Sequence, residues 1–420
     1  MPRDADPSHA AVPTRDAGLT RLADFIPNSG SKYASTRNYD FGPGARDNVS
    51  VLSPYIRHRL VLETEVLDRV LGKFAASTAE KFIQEVFWRT YFKGWLEQRP
   101  TVWTAYREDL DHHLSVLEKD GALKARYLAA VSGETGIDCF DAWAKELVDC
   151  GYLHNHTRMW FASIWIFTLE LPWELGADVF LRHLMDGDPA SNTLSWRWVG
   201  GLHTKGKTYL ARPDNIAKYT DGRFRPDNLA TRAEPLHEDR QHGKKPIPEA
   251  AAALPEGPSL LLITEEDCSV EVMFEAAGDR FAGGLAVSAV EGRSPLDAGE
   301  AALAFTAGAL KDAGARVEAA LDVAVDVQGE TDDWAGQIKA ACAKAGTKSV
   351  VTAYCPVGPA ADRIAAARTA LAGDDIAITE VRRPLDDIAW PHATRGYFAL
   401  KTKIPDILED LAREVQPRLL

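Results

Sequence analysis

The feature that most constrains the fold is a break at residues 225–258, RPDNLATRAEPLHEDRQHGKKPIPEAAAALPEGP. Proline fixes φ and removes a backbone donor, so a stretch this rich in proline and charge reads as an extended linker. The two sides of it are written differently. Before it, segments such as TAEKFIQEVFWRTYFKGWLEQ place Phe82, Val86, Tyr91 and Trp95 at helical spacing, with few β-branched runs. After it, the apolar segments SLLLIT, GGLAVSAV, ARVEAALDV, KSVVTAYC and IAITEVR alternate with helical runs at residues 295–313, 334–345 and 360–371. The predicted organisation is therefore a mobile tail (1–20), an all-helical domain (21–225), a linker (226–257) and an α/β domain with a mainly parallel sheet (258–420). A chain of 420 residues, 45% of them hydrophobic, can bury both cores.

Composition narrows the functional classes. No run of about eighteen apolar residues is present and the start lacks the apolar core of a secretory signal, so a soluble, cytoplasmic protein is expected. The five cysteines form no CxxC pair and are odd in number, against a disulfide framework or a clustered metal site. The net charge of −13 would disfavour nucleic acid, but nearly all the acidity lies after residue 245. No GxGxxG follows the first strand, so a dinucleotide site of the usual kind is not expected in the second half.

Four stretches of the first half carry chemistry. In DGDPASNTLSWRW, Asp188 before Pro189 is a helix start that puts Asn192 and Trp196 one turn apart and turns Trp198 elsewhere. A capped helix with two core tryptophans explains the same residues. In YLHNHTRM, Asn155, Arg158, Met159 and Ala162 share a face, and an Arg and an Asn there need partners such as an anion or heterocycle. In QEVFWRTYFKGW, Glu85, Trp88 and Arg89 occupy one side of a helix, a carboxylate beside a flat ring; an i, i+4 ion pair between Glu85 and Arg89 is the plainer alternative. In YASTRNYDFGPGARDNVSVLSPY, Ser50 and Ser53 offer hydroxyls and free amides before a helix, suited to a pyrophosphate or to capping alone. No metal site is expected.

Together the SxLSPY turn, the ExxWR helix, the HNxxRM helix and DGDxAxNxxxWxW, in that order, resemble the DNA photolyase/cryptochrome family over about residues 20–225. The resemblance implies an FAD folded within the helical bundle. Tyr33 and Arg37 match the family's YxxxR leader, and Val49, Ser50, Val51, Leu52 and Ser53 match its phosphate-contacting turn. Arg158, Asp186, Gly187, Asp188 and Asn192 match those around the isoalloxazine. Glu85, Trp88, Asn155, Met159 and Trp198 match the pocket for a flipped-out cyclobutane pyrimidine dimer, with Arg89, Lys205, Lys207 and Arg212 on the DNA side. Arg182, Arg197 and His203 extend that basic patch. The implied activity is light-driven, flavin-dependent repair of DNA by a lyase, with Glu85 and Asn192 at the reacting groups and Trp196 and Trp173 as two members of an electron relay. A cryptochrome-like photoreceptor without repair activity is the alternative, and a monomer is expected.

Three departures qualify the resemblance. The distal relay position falls in LEKDGALK, which holds no tryptophan; Trp143, Trp160 and Tyr152 are the candidates to replace it. The segment KTYLARPDNIAKYTDGRF departs from the family's ending, which makes Arg212 a shifted match. Family members normally begin with an α/β antenna domain, whereas here SLLLITEEDCSVE and WPHATRGYFALKTKIPDIL place such a domain second, with or without a second chromophore.

Overall fold

The computed structural model describes residues 11–251, 253–329 and 331–415. Before residue 259 the described residues form helices and loops: α1 (Arg15–Phe25), α2 (Ser31–Thr36), α3 (Ser53–Arg57), α4 (Glu63–Leu71), α5 (Glu80–Glu97), α6 (Thr101–Leu117), α7 (Gly121–Ser132), α8 (Asp138–Cys150), α9 (Asn155–Ser163), α10 (Trp173–His183), α11 (Pro189–Val199) and α12 (Pro213–Tyr219). After it come β1 (Ser259–Thr264), α13 (Val270–Phe274), β2 (Phe281–Val287), α14 (Glu300–Leu321), β3 (Val325–Val327), α15 (Trp334–Ala345), β4 (Ser349–Ala353), α16 (Pro359–Leu371), β5 (Ala377–Val381), α17 (Pro384–Ala389), α18 (Tyr397–Lys401) and α19 (Ile404–Val415).

The five strands are all parallel, in the order β3-β2-β1-β4-β5. β1 is central and buried along its whole length, as its uninterrupted apolar run requires of a strand covered on both faces. α15 and α16 cover one face of the sheet, and α14 covers the other. α14 also packs on α1, α8 and α10 of the helical part, so one core is shared: Leu22, Tyr55 and Phe82 join Leu261, Phe305 and Ala309 in a single apolar cluster. A second core, rich in tryptophan, lies almost wholly within the helical part.

Several expectations are corrected. Residues 15–20 of the predicted tail begin α1, because Thr14 caps it and the Arg15 guanidinium is held by Glu65 and the Leu60 carbonyl; residues 1–10 of that tail lie outside the described residues. ARVEAALDV is not a strand. Its first residues continue α14, whose alanine-rich text favours helix, and Asp322, in the left-handed region at φ 55°, ends the helix before the short β3. Among its described residues the proline-rich stretch holds no helix or strand before β1, yet it is packed. Leu236 fills the space over Gly200, Glu238 takes both Arg197 Nη atoms at 2.9 and 2.6 Å, and Ala251 N–H donates to Glu380 O at 3.0 Å.

Candidate functional site

The site is built around the turn from α10 to α11. Asp188 caps α11 by accepting from Ser191 N–H at 2.7 Å, and Pro189 follows at the first helical position. Asn192 comes one turn later. Its Nδ2 donates to Ala177 O at 2.8 Å, which fixes the amide and leaves Oδ1 with no hydrogen bond from the described residues. Arg158 of α9 reaches across to Asp186 Oδ2 at 2.9 Å. Burial pushes the Asp186 carboxyl up, but Arg158, helped by the Ser53 hydroxyl, outweighs it and holds the group below the usual carboxylate range. Among the described residues Asp186 Oδ1 is buried without a partner, and an orphaned buried acceptor needs an explanation such as a ligand donor.

Asp188 is held more strongly. Burial is again the largest influence and raises its pKa; Lys93, Arg89 and Arg57 together reverse it and place the group far below the ordinary range. Arg89 Nη1 lies 3.2 Å from Asp188 Oδ2, Lys93 Nζ at 3.7 Å and Arg57 Nε at 3.9 Å. Arg89 is thus spent inside the protein rather than presented to DNA. The i, i+4 pair between Glu85 and Arg89 does not form; Glu85 pairs with Arg37 of the Tyr33 segment. Burial raises the Glu85 pKa, partly offset by Arg37. Tyr33 is buried beside this pair.

The turn Val49–Ser53 brings its last residue, Ser53, to Asp186. Val51 sits at φ 50°, an uncommon conformation for a β-branched residue, costing of order 1–3 kcal/mol and found most often at functional sites. Leu52 is buried, whereas Ser50 and Ser53 are half-buried.

The remaining residues divide. Trp88 is stacked against Tyr397 of α18 at 3.6 Å between ring centroids and 11° between planes, so one face of it is covered from within the chain. Trp198 is half-buried, roughly parallel to Tyr209 at 5.7 Å. Asn155 is exposed at the start of α9 and Met159 is half-buried one turn on. Lys205, Lys207 and Arg212 are exposed and make no ion pair with the described residues. Arg197 and Arg182 are not available to phosphates: Arg197 is buried against Glu238 and Arg182 is paired with Asp178. His203, half-buried beside Tyr91 and Trp95, is depressed to about 4 by burial and so is neutral.

Trp196 is buried edge-on to Trp165 at 6.2 Å, with Gly176 beneath it; a Cβ there would stand 2.4 Å from its ring. Trp173 contacts Tyr106 at 5.7 Å, which contacts Trp103 at 5.4 Å. The candidates suggested for the distal position lie elsewhere: Trp143 and Trp160 stack on each other at 5.6 Å, and Tyr152 lies between Arg46 and Arg158. None of the three makes a ring contact with Trp173 among the described residues.

Residues 82–245 match the family model described as the FAD binding domain of DNA photolyase. This stretch of the helical part is thus similar in sequence to photolyase FAD-binding domains. A deoxyribodipyrimidine photo-lyase of Streptomyces griseus is 34% identical over 185 residues, covering 41% of this chain and 39% of its own. One from Thermus thermophilus is 31% identical over 212 residues, covering 50% and 48%. A solved bacterial class III photolyase from Agrobacterium tumefaciens aligns with a TM-score of 0.42 at 24% identity, over 53% of this chain and 46% of that one. The match thus spans less than half the length of these curated photo-lyases.

Within the matched segment fall Glu85, Trp88, Arg89, Asn155 and every candidate after them; Tyr33, Arg37 and the turn at 49–53 precede it. The orphaned Asp186 Oδ1, the free Asn192 Oδ1 and the strained Val51 beside two hydroxyls fit a ligand with an N–H-bearing ring edge and a phosphate portion, which FAD has. Sequence reasoning missed the groups behind them: Arg57, Lys93, Glu266 and Arg293. A signal existed in the basic triplet Arg57–His58–Arg59 and the acidic triplet Glu265–Glu266–Asp267, both set in apolar text, which face each other in the fold.

Proposed function

We propose that this chain is a light-driven, FAD-dependent enzyme that splits cyclobutane pyrimidine dimers in DNA. The observation that carries the reading is the convergence of Asn192, the Arg158–Asp186 pair and Asp188 on one turn, inside the segment that matches the photolyase FAD-binding domain. FAD, when bound, supplies light absorption and the electron that the chemistry needs. The protein's share is binding, orientation and electrostatics. Asn192 presents a fixed carbonyl oxygen, and Asp186 offers an acceptor balanced by Arg158. Ser50, Ser53 and the backbone of the Val49–Ser53 turn offer hydroxyls and amides to the phosphates, with Tyr33 and Arg37 behind them. Glu85, held by Arg37, is the hydrogen-bonding partner of the lesion, while Trp88, Met159, Asn155 and Trp198 bound the pocket that receives it. Lys205, Lys207 and Arg212 are the cations left free for the backbone of the DNA. Trp196 and Trp173 are the inner relay.

Residues 21–225 form the FAD-binding domain on this reading, 226–257 the linker and 258–420 an antenna-like domain moved from its usual leading place. The five-stranded parallel sheet supports that assignment. A cryptochrome-like photoreceptor is the second reading, favoured by Tyr397 lying over one face of Trp88. Illumination of the purified protein with a dimer-containing oligonucleotide separates the two. Repair activity should restore monomeric pyrimidines, and Glu85→Ala or Trp198→Ala should reduce the rate about tenfold or more. Flavin absorbance without repair supports the photoreceptor, and purified protein that neither carries nor binds FAD overturns both.

A further inference from the structure

The turn bearing Asp186, Gly187 and Asp188 is held by side chains that come from outside it. Gly187 O accepts from Arg57 Nε at 2.9 Å, and Leu184 O from Arg293 Nη1 at 3.2 Å. His58 lies between Met185 O at 3.2 Å and Glu265 O at 2.9 Å; burial keeps its ring neutral, so it donates to one at a time. Arg293 follows β2, in the α/β half, and its guanidinium fits only because residue 187 has no side chain: a Cβ there would stand 2.8 Å from Nη1.

Glu266, just beyond β1, completes the arrangement. Its Oε1 pairs with Arg57 Nη2 at 2.6 Å and its Oε2 lies 3.4 Å from Lys93 Nζ. Arg57, Lys93, Asp188 and Glu266 are all nearly inaccessible. Two carboxylates, one from each half of the chain, therefore share the same buried cations. Without Glu266, Asp188, already engaged by Arg89, would be the one carboxylate left at ion-pair distance from Arg57 and Lys93 among the described residues, and the surplus buried positive charge would pull on it.

We propose that Glu266 and Arg293 are positioning residues of the flavin site, making the α/β half a structural part of that site rather than a module beside it. The proposal rests on the flavin reading above. The cations released by loss of Glu266 would draw Asp188 off its place at the start of α11, displacing Asn192 with it, and loss of Arg293 would free the Leu184–Gly187 backbone.

The test uses the full chain. FAD affinity is measured by titrating the apoprotein, together with the vibronic structure of the bound flavin's absorption band and the helical circular-dichroism signal of the apoprotein. Glu266→Gln and Arg293→Met should each weaken FAD binding about tenfold or more and blur the band, with the helical signal retained. The double variant Glu266→Gln/Lys93→Met removes the surplus cation and should recover most of the affinity, which a merely packed side chain would not allow. Affinity within about twofold of the wild type in both single variants overturns the proposal. So does a double variant that folds but binds FAD no better than Glu266→Gln. Wild-type protein that binds no FAD fails earlier, and overturns the flavin reading itself.

Discussion

Asp188 shows how much a single residue carries in this chain. It caps α11, accepts from Ser191 N–H and balances three cations while being 2% exposed. Asp188→Asn should therefore destabilise the protein by about 3 kcal/mol or more, because it strands buried positive charge rather than merely losing a cap; urea denaturation measures this. Gly176 makes a steric demand of a different kind. Gly176→Ala forces a methyl against Trp196 and Trp165 in a closely packed core, and a loss of about 1–3 kcal/mol is expected on the same assay. The cap at Asp188 and the place of Asn192 one turn on were legible because a helix-cap pattern is local. Arg57 and Lys93 were not, because a cation's importance here depends on a carboxylate 209 residues away in the case of Arg57 and Glu266.

At the scale of elements, α5 is the hinge of the arrangement. It sends Glu85 to Arg37, Arg89 and Lys93 to Asp188, and Glu97 to the loop after β4, where Tyr354 Oη donates at 2.7 Å and Val357 N–H at 2.6 Å. Its periodicity marked it as a helix with aromatic faces. The same periodicity could not say that α17 and α18 would cover it. Trp390 packs on Gly94, and Tyr397 stacks on Trp88 while its hydroxyl donates to Gln84 O at 2.8 Å. Tyr397→Ala should cost about 3 kcal/mol from the emptied contact and shift Trp88 fluorescence to the red as its face meets water. If Trp88 serves a lesion, as the repair reading requires, the same variant should also change the affinity for dimer-containing oligonucleotide, measured by anisotropy. The strand misreading at residues 315–323 belongs to this scale as well: VEAAL suits either element in isolation, and the continuing amphipathic run of α14 decided it.

Across the whole molecule, buried carboxyls give a pH signature. Burial raises Glu97, Glu146 and Glu174 to about 7, against the partial opposition of Tyr354 and Val357 at Glu97 and of Arg46 at Glu146. A carboxyl raised in the folded state contributes stability that is fully present below its unfolded pKa of about 4.5 and is lost as pH rises through about 7. Buried His154 and half-buried His183, both depressed to about 4 by burial, act in the opposite sense over much of the same range. The difference between variant and parent isolates one group. Glu97→Gln, compared with the parent by urea midpoint, should grow progressively more stable relative to it from about pH 5 to pH 8.

Apart from residues 315–323, the kinds of element are written in the chain itself: a helical half, an irregular connection, a parallel α/β half, and the cap-and-turn motifs that mark the candidate site. These depend on interactions between residues a few positions apart, or on apolar periodicity, and both are written locally. Which charges meet is fixed by the folding of distant segments together. The Arg57–His58–Arg59 and Glu265–Glu266–Asp267 triplets lie on opposite sides of the linker, and buried ions acquire meaning from the partner that neutralises them. The same is true of Tyr397 over Trp88 and of Glu238 on Arg197, since a stack or an ion pair between distant segments leaves no periodic trace in either of them.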